Sequence, residues 1–181
     1  TRNYFACISG VDDQLGRILR CLEQEQLKSN TLVVFTSDHG NCVGAHNCFT
    51  KGVHWAESFK IPLIVRMPDI QSDISDILVS PTDLFPTIGG VLGLDGIFPE
   101  TLHGQDLSKV ILGNADTEPT SALYAYLPWP ADTPKHGYTE LAWGERGVQT
   151  KTHMLVVEKK ALSHTRFLLF DMKKDPHQLD N

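Results

Sequence analysis

The stretch "LVVFTSDHGNCVGAHNCFTKG", from Leu32 to Gly52, limits the fold more than any other part of the chain. The run Leu32-Val33-Val34-Phe35 is apolar and rich in β-branched residues, which is the content of a strand covered on both faces. It then drives straight into the polar, glycine-bearing Ser37-Asp38-His39-Gly40. In open α/β sheets the carboxyl end of such a strand is where ligands sit.

The neighbouring sequence reads as α/β. Ile8, Val11, Leu15, Ile18, Leu19 and Leu22 recur at three- and four-residue steps, the stripe of an amphipathic helix lying on a sheet, and Lys28-Ser29-Asn30 ends it. A strand is expected over Thr31–Thr36, and a second buried one over Ile61–Arg66 that closes at Met67-Pro68. Helix, strand, polar loop and strand together are the grammar of an α/β sheet. In "SPTDLFPTIGGVLGL", from Ser80 to Leu94, a capped helix start is expected, with Leu84, Ile88, Val91 and Leu92 inward and Pro86 kinking or shortening the helix.

Beyond two loop-like stretches, Gly93–Pro99 and Gly113–Ser121, the pattern changes to short strands at Leu123–Leu127, Val148–Val157 and Arg166–Phe170. The expected division is an α/β part over residues 1–120 and a small antiparallel C-terminal unit over 121–181.

Composition excludes some functions. Sixteen Lys and Arg against 22 Asp and Glu give a net charge of -6, the wrong sign for a nucleic-acid partner. No apolar run approaches the ~20 residues of a membrane span, and Thr1 does not open a basic and apolar leader. Cys7, Cys21, Cys42 and Cys48 form no CxxC pair and are expected to be free thiols, and the compartment is left open.

Asp38 and His39 offer a carboxylate oxygen and an imidazole nitrogen side by side at a strand end, which is part of a cation site and needs further donors. His46 and Lys51 add donors and positive charge of the kind aimed at an ester oxygen whose charge grows in a transition state. Singly, each residue type is ordinary in turns.

The ordered run from Ser37 to Lys51, followed by Glu57 and "IPLIVRMP", resembles the C-terminal half of a sulfatase of the alkaline phosphatase superfamily. The helices "VDDQLGRILRCLEQ" and "PTDLFPTIGGVLGL", the loop "LHGQDLS" and the closing "LLFDMKKDPHQLDN" extend the resemblance over nearly the whole chain. It implies an alkaline-phosphatase-like sheet flanked by helices, and hydrolysis of a sulfate ester carried by a small molecule or a glycan. It further implies that Asp38 and His39 ligate a divalent cation, usually calcium and sometimes magnesium. Lys51 matches the lysine that contacts the ester's anionic oxygens, and His46 a loop histidine near the same pocket.

The chain departs from the family at the nucleophile. Sulfatases attack with formylglycine made from the first residue of Cys/Ser-x-Pro-x-Arg, and none of the four cysteines begins such a motif. The Asp-Asp pair that completes the cation site is missing too. Asp12-Asp13 does not replace it, because consecutive helical residues point about 100° apart. The expectation is a C-terminal portion whose partner is the missing N-terminal half of the same enzyme, inactive by itself. Phosphate or phosphonate ester hydrolysis and a noncatalytic scaffold remain alternatives.

His54, Trp55 and Glu57 are read either as a pocket rim or as packing, and Trp129, His136 and Tyr138 as an aromatic loop or a rigid linker. His103 is read as structural, and Lys159-Lys160 and Lys173-Lys174 as a solvated face.

Overall fold

The computed structural model describes residues 1–68, 70–94, 98–99, 101–114, 118–128, 143–161 and 163–180. They fall into two compact units, one of residues 1–51 with 57–73, the other of 52–56 with 74–181.

In the first unit, α1 (Arg2–Gln24) carries the expected stripe but begins earlier than the apolar spacing suggests. It stops where Gln26 adopts φ 58° and Leu27 N–H reaches back to the Leu22 carbonyl at 2.8 Å, closing the helix end without a glycine. Of the stripe, only Leu15, Leu19 and Leu22 are half-buried, while Ile8, Val11 and Ile18 are exposed. β1 (Val33–Thr36) and β2 (Leu63–Arg66), with α2 (Ala56–Phe59) between them in the chain, pair antiparallel in the register Val33 to Arg66 through Thr36 to Leu63.

Two expectations are corrected in this unit: the helix stripe is half-buried only in part, and the strands are half-buried rather than covered on both faces, with Ile64 exposed. Size is the reason: a four-residue strand spans about 14 Å, whereas a 23-residue helix runs about 35 Å. The described pair therefore cannot cover the whole helix.

In the second unit, Ser80 and Asp83 form a capping box ahead of α3 (Leu84–Val91), with Ser80 N–H donating to Asp83 Oδ2 at 2.8 Å. Pro86 sits in the first turn of α3, where its missing N–H costs nothing, so the helix runs on through it. Of the residues expected inward, Leu84, Ile88 and Val91 are half-buried and Leu92 is exposed, while the fully buried positions are Pro86, Thr87 and Gly89. The Thr87 hydroxyl is satisfied there, since it accepts from Leu107 N–H at 3.0 Å and donates to the Gln105 carbonyl at 3.3 Å. Asp83 Oδ1 accepts Gln105 N–H at 2.8 Å, so the His103–Gln105 loop is tied down beside α3 and leads to α4 (Ser108–Ile111).

The rest of the second unit holds an antiparallel meander of β3 (Ser121–Tyr126), β4 (Gly144–Thr150), β5 (His153–Ala161) and β6 (His164–Asp171). The run Val148–Val157, expected as one strand, is split by a hairpin. The Thr150 hydroxyl accepts N–H bonds from Thr152 and His153 at 3.2 and 3.0 Å and turns the chain there. One face of the sheet is closed by Met154, Val156, Leu168 and Phe170; the other leaves Leu123, Phe167 and Leu169 exposed.

Lys159 and Lys160 are not simply solvated, as the sequence suggests. Lys160 Nζ pairs with the buried Glu158 at 3.1 Å, and Lys159 Nζ stands 5.3 Å from the Trp143 ring centre. Trp129, His136 and Tyr138 lie outside the described residues.

Candidate functional site

All four singled-out residues belong to the first unit. Asp38 and His39 follow β1 after the single residue Ser37. His39 Nδ1 lies 2.8 Å from the Gly40 carbonyl, an acceptor that favours the Nδ1–H tautomer, in which Nε2 carries the lone pair. Nε2 faces Asp38 Oδ2 across 3.2 Å, while Asp38 Oδ1 accepts the His39 N–H at 2.9 Å. In that tautomer the two atoms are both acceptors, and a cation between them would relieve their repulsion.

The donor set, one imidazole nitrogen and one carboxylate oxygen, fits a divalent cation as part of its coordination. Asp38 has 82% of its side chain exposed, so the pair is open to such an ion. Among the described residues no cluster of three or more His, Cys, Asp or Glu completes a site.

Gly40 supplies the next constraint. Its N–H donates to the Ser58 carbonyl at 2.8 Å, and a Cβ there would sit 2.1 Å from the Glu57 carbonyl oxygen. Only glycine lets the loop after Asp38-His39 lie this close to the backbone of 57–58.

From Asn41 to Lys51 the chain makes a compact loop. Cys42 N–H bonds the Thr50 carbonyl at 2.9 Å and Gly44 N–H the Cys48 carbonyl at 2.8 Å. Val43, Gly44, His46 and Asn47 all have positive φ, which is unfavourable for a β-branched residue such as Val43. Asn41 Oδ1, accepting Val43 N–H at 2.9 Å, helps hold that conformation. The buried Cys42 thiol is pushed up to about 12, first by burial and then by a hydrogen bond with Cys48. No disulfide joins the four cysteines.

The loop buries the His46 ring, whose Nε2 lies 3.4 Å from Glu57 Oε2. Lys51 is exposed and has no ion pair among the described residues. Asp38 with His39 thus forms one pair and His46 with Glu57 another, while Lys51 is left as a solvated cation at the end of the loop. Glu57 as the partner of His46 is the addition the structure makes. No local spacing rule links a loop histidine to a carboxylate eleven positions on.

The Sulfatase family model matches residues 1–94, and the chain belongs to the sulfatase family. The endo-4-O-sulfatase of Bacteroides thetaiotaomicron is 33% identical over 187 residues, covering 99% of this chain and 37% of the relative. The crystal structure assigned to the sulfatase yidJ of Bacteroides fragilis matches with a TM-score of 0.86 at 36% identity, over 99% of this chain and 37% of that one. The structure of BT4656 with its substrate D-glucosamine-2-N,6-O-disulfate matches with a TM-score of 0.78 at 26% identity, over 99% of this chain and 35% of that one. The chain therefore spans little more than a third of the length of these relatives. No helix among the described residues is long and apolar enough to cross a membrane.

Proposed function

We propose that this chain supplies part of the active site of a metal-dependent sulfatase that hydrolyses sulfate monoesters. The observation that carries the reading is the Asp38 Oδ2 and His39 Nε2 pair, 3.2 Å apart at a strand end in a chain of the sulfatase family. A sulfated sugar is the substrate of one structural relative, which supports a glycan or small-molecule sulfate ester here.

In this reading Asp38 and His39 hold a divalent cation, calcium or magnesium. When bound, the cation supplies positive charge to the ester oxygens. The Gly40 carbonyl favours the His39 tautomer whose Nε2 carries the lone pair. Lys51 brings a compact ammonium to the anionic oxygens, and the buried His46, steadied by Glu57, donates a hydrogen bond to the same group. The nucleophile, expected to be formylglycine, and further carboxylates come from the remainder of the full-length protein. Without them these residues turn over no ester.

The test is hydrolysis of aryl sulfate and aryl phosphate esters by the full-length protein. Sulfate should be preferred, and Lys51→Ala and Asp38→Ala should each cut kcat/KM by about 100-fold or more. Sulfatase activity unchanged in both variants overturns the proposal. A preference for phosphate transfers it to phosphate or phosphonate esters, which the same superfamily hydrolyses.

A further inference from the structure

Two of the four cysteines, Cys42 and Cys48, lie in the loop that carries His46. The backbone folds them together. Cys42 N–H donates to the Thr50 carbonyl at 2.9 Å and Gly44 N–H to the Cys48 carbonyl at 2.8 Å, so the arms 42–44 and 48–50 run antiparallel. Ala45 ties both cysteines to one residue: its N–H donates to the Cys42 carbonyl at 2.8 Å, and its carbonyl accepts Cys48 N–H at 2.9 Å.

The thiols follow the backbone. The Cys42 thiol, in a residue 4% exposed, makes a hydrogen bond with Cys48, whose Sγ also lies 3.9 Å from the Thr50 hydroxyl oxygen. Cys48 is half-buried, so a small oxidant in solution meets it before Cys42. A buried cysteine is ordinarily inert. Here the thiol that solvent reaches has a second thiol in contact with it. Cys7 and Cys21 offer a contrast: both are exposed on α1, and at their spacing along a helix they stand about 21 Å apart, far beyond the reach of a disulfide.

We propose that Cys48 and Cys42 form a thiol-oxidation site, in which Cys48 reacts first and Cys42 resolves it to a disulfide. With a disulfide oxidant such as oxidised glutathione, the Cys48 thiolate attacks one sulfur, forms a mixed disulfide and expels one glutathione thiolate. The Cys42 thiolate then attacks Cys48 Sγ, the bond to glutathione breaks, and the second glutathione leaves. Two cysteine thiols are oxidised and one oxidised glutathione is reduced to two thiols, which take up the two cysteine protons. The Cys42 thiol is pushed up first by burial, then by the hydrogen bond and charge of Cys48 and by the charge of Glu57. Modifying Cys48 takes its hydrogen bond and charge away, so the first step eases the second. The disulfide closes residues 42–48, with His46 among them, into a ring. Val43, Gly44, His46 and Asn47 already hold positive φ, which leaves few torsions to absorb the change from a thiol contact to a covalent bond. The His46 ring is therefore displaced on oxidation. The effect on turnover rests on the reading that His46 serves the ester site.

The experiment incubates the full-length protein with oxidised glutathione, blocks the remaining thiols with iodoacetamide in denaturant and maps the tryptic peptides. Residues 29–51 form one such peptide, bounded by Lys28 and Lys51, and Cys42 and Cys48 are its only cysteines. Wild type, Cys42→Ala and Cys48→Ala are compared. Turnover of an aryl sulfate is followed in parallel, before and after dithiothreitol.

The wild-type peptide is expected to carry neither label nor glutathione, to be lighter than the dithiol by two hydrogens, and to return to the dithiol with dithiothreitol. Cys42→Ala should stop at a glutathione adduct on Cys48, and Cys48→Ala should leave Cys42 free. As the disulfide accumulates, kcat should fall by about 10-fold or more and recover on reduction. Cys48→Ala should keep its own reduced rate, which separates this pair from every other thiol of the protein. A glutathione adduct that persists on wild-type Cys48 beside a free Cys42 overturns the site, as do two free thiols in this peptide while Cys7 and Cys21 are modified. Full turnover by the disulfide-linked protein overturns the link to His46. If a variant does not fold, the wild-type peptide alone decides whether the site exists. Reduced wild-type protein without sulfatase activity defeats the functional reading, and the peptide map still decides the disulfide.

Discussion

The His46 imidazole, with 9% of its side chain exposed, faces the Glu57 carboxylate at 3.4 Å. A buried ring that loses a charged neighbour keeps its desolvation cost and gives up part of its compensation. Glu57→Ala is therefore expected to destabilise the fold by ~1 kcal/mol, the low end for such pairs because Glu57 is partly solvated. Urea unfolding midpoints of the two proteins check this, and an unchanged midpoint rejects the pair as a structural contact.

Gly40 offers a sharper substitution. A methyl at this position meets the Glu57 carbonyl oxygen at 2.1 Å and the Ser58 carbonyl oxygen at 3.2 Å, both backbone atoms that cannot rotate away. Gly40→Ala should cost ~2–3 kcal/mol, the upper range for overpacking, seen as a lower denaturation midpoint. It should also disturb the Asp38-His39 pair next to it.

Metal provides an independent check. The full-length protein is expected to carry one cation that Asp38→Asn with His39→Ala removes, measured by elemental analysis of the purified protein. Chelation should abolish ester hydrolysis, and calcium or magnesium should restore it. Equal metal content in the double variant contradicts the assignment of these two ligands.

The thiols differ in reach. Cys42 is buried and its pKa lies near 12, whereas Cys7 and Cys21 are exposed. At neutral pH the Cys42 thiolate is scarce, so iodoacetamide should label Cys7 and Cys21 first and Cys42 last. Peptide mass spectrometry over a time course reads the order, and early labelling of Cys42 contradicts its burial.

Stability should narrow at both ends of the pH scale. Asp171 is lowered below its ordinary 3.8, first by hydrogen bonding from Lys174 N–H, and Asp76 is lowered first by its hydrogen bond with Lys151. Depressed carboxylates stabilise the fold above their unfolded pKa, and that contribution disappears as pH falls through their folded values. Lys151 is raised above 10.5 by Asp76 and Glu118, so its contribution is present below that value and lost as pH rises through the folded pKa. Asp171→Asn should flatten the acid limb and Lys151→Met the alkaline one, as followed by thermal melts across pH. All three groups are solvated, so the effects are small and sensitive to salt.

The elements written in local pattern were legible. The helix stripe from Ile8 to Leu22, the strand entering Ser37-Asp38 and the capped start at Ser80 each follow from short-range chemistry. The hairpin inside Val148–Val157 was not, because its turn relies on the Thr150 hydroxyl rather than on glycine or proline. The burial of Thr87 on α3 was not, because its hydroxyl is satisfied by residues 18 and 20 positions away. In the candidate site, Asp38, His39, His46 and Lys51 stood out by order and spacing. Glu57 as the partner of His46, and the grip of Gln178 on His54, depend on pairings that only the folded chain creates.

The β3-β4-β5-β6 order is a meander, each strand lying beside its sequence neighbour. Its β4-β5 and β5-β6 hairpins close short connections and form quickly. The contact between Gln178 and His54 spans 124 residues, and its loop-closure entropy is met only after the sheet exists to receive it. Residues 52–56 are thus expected to dock late in folding, after the meander has formed.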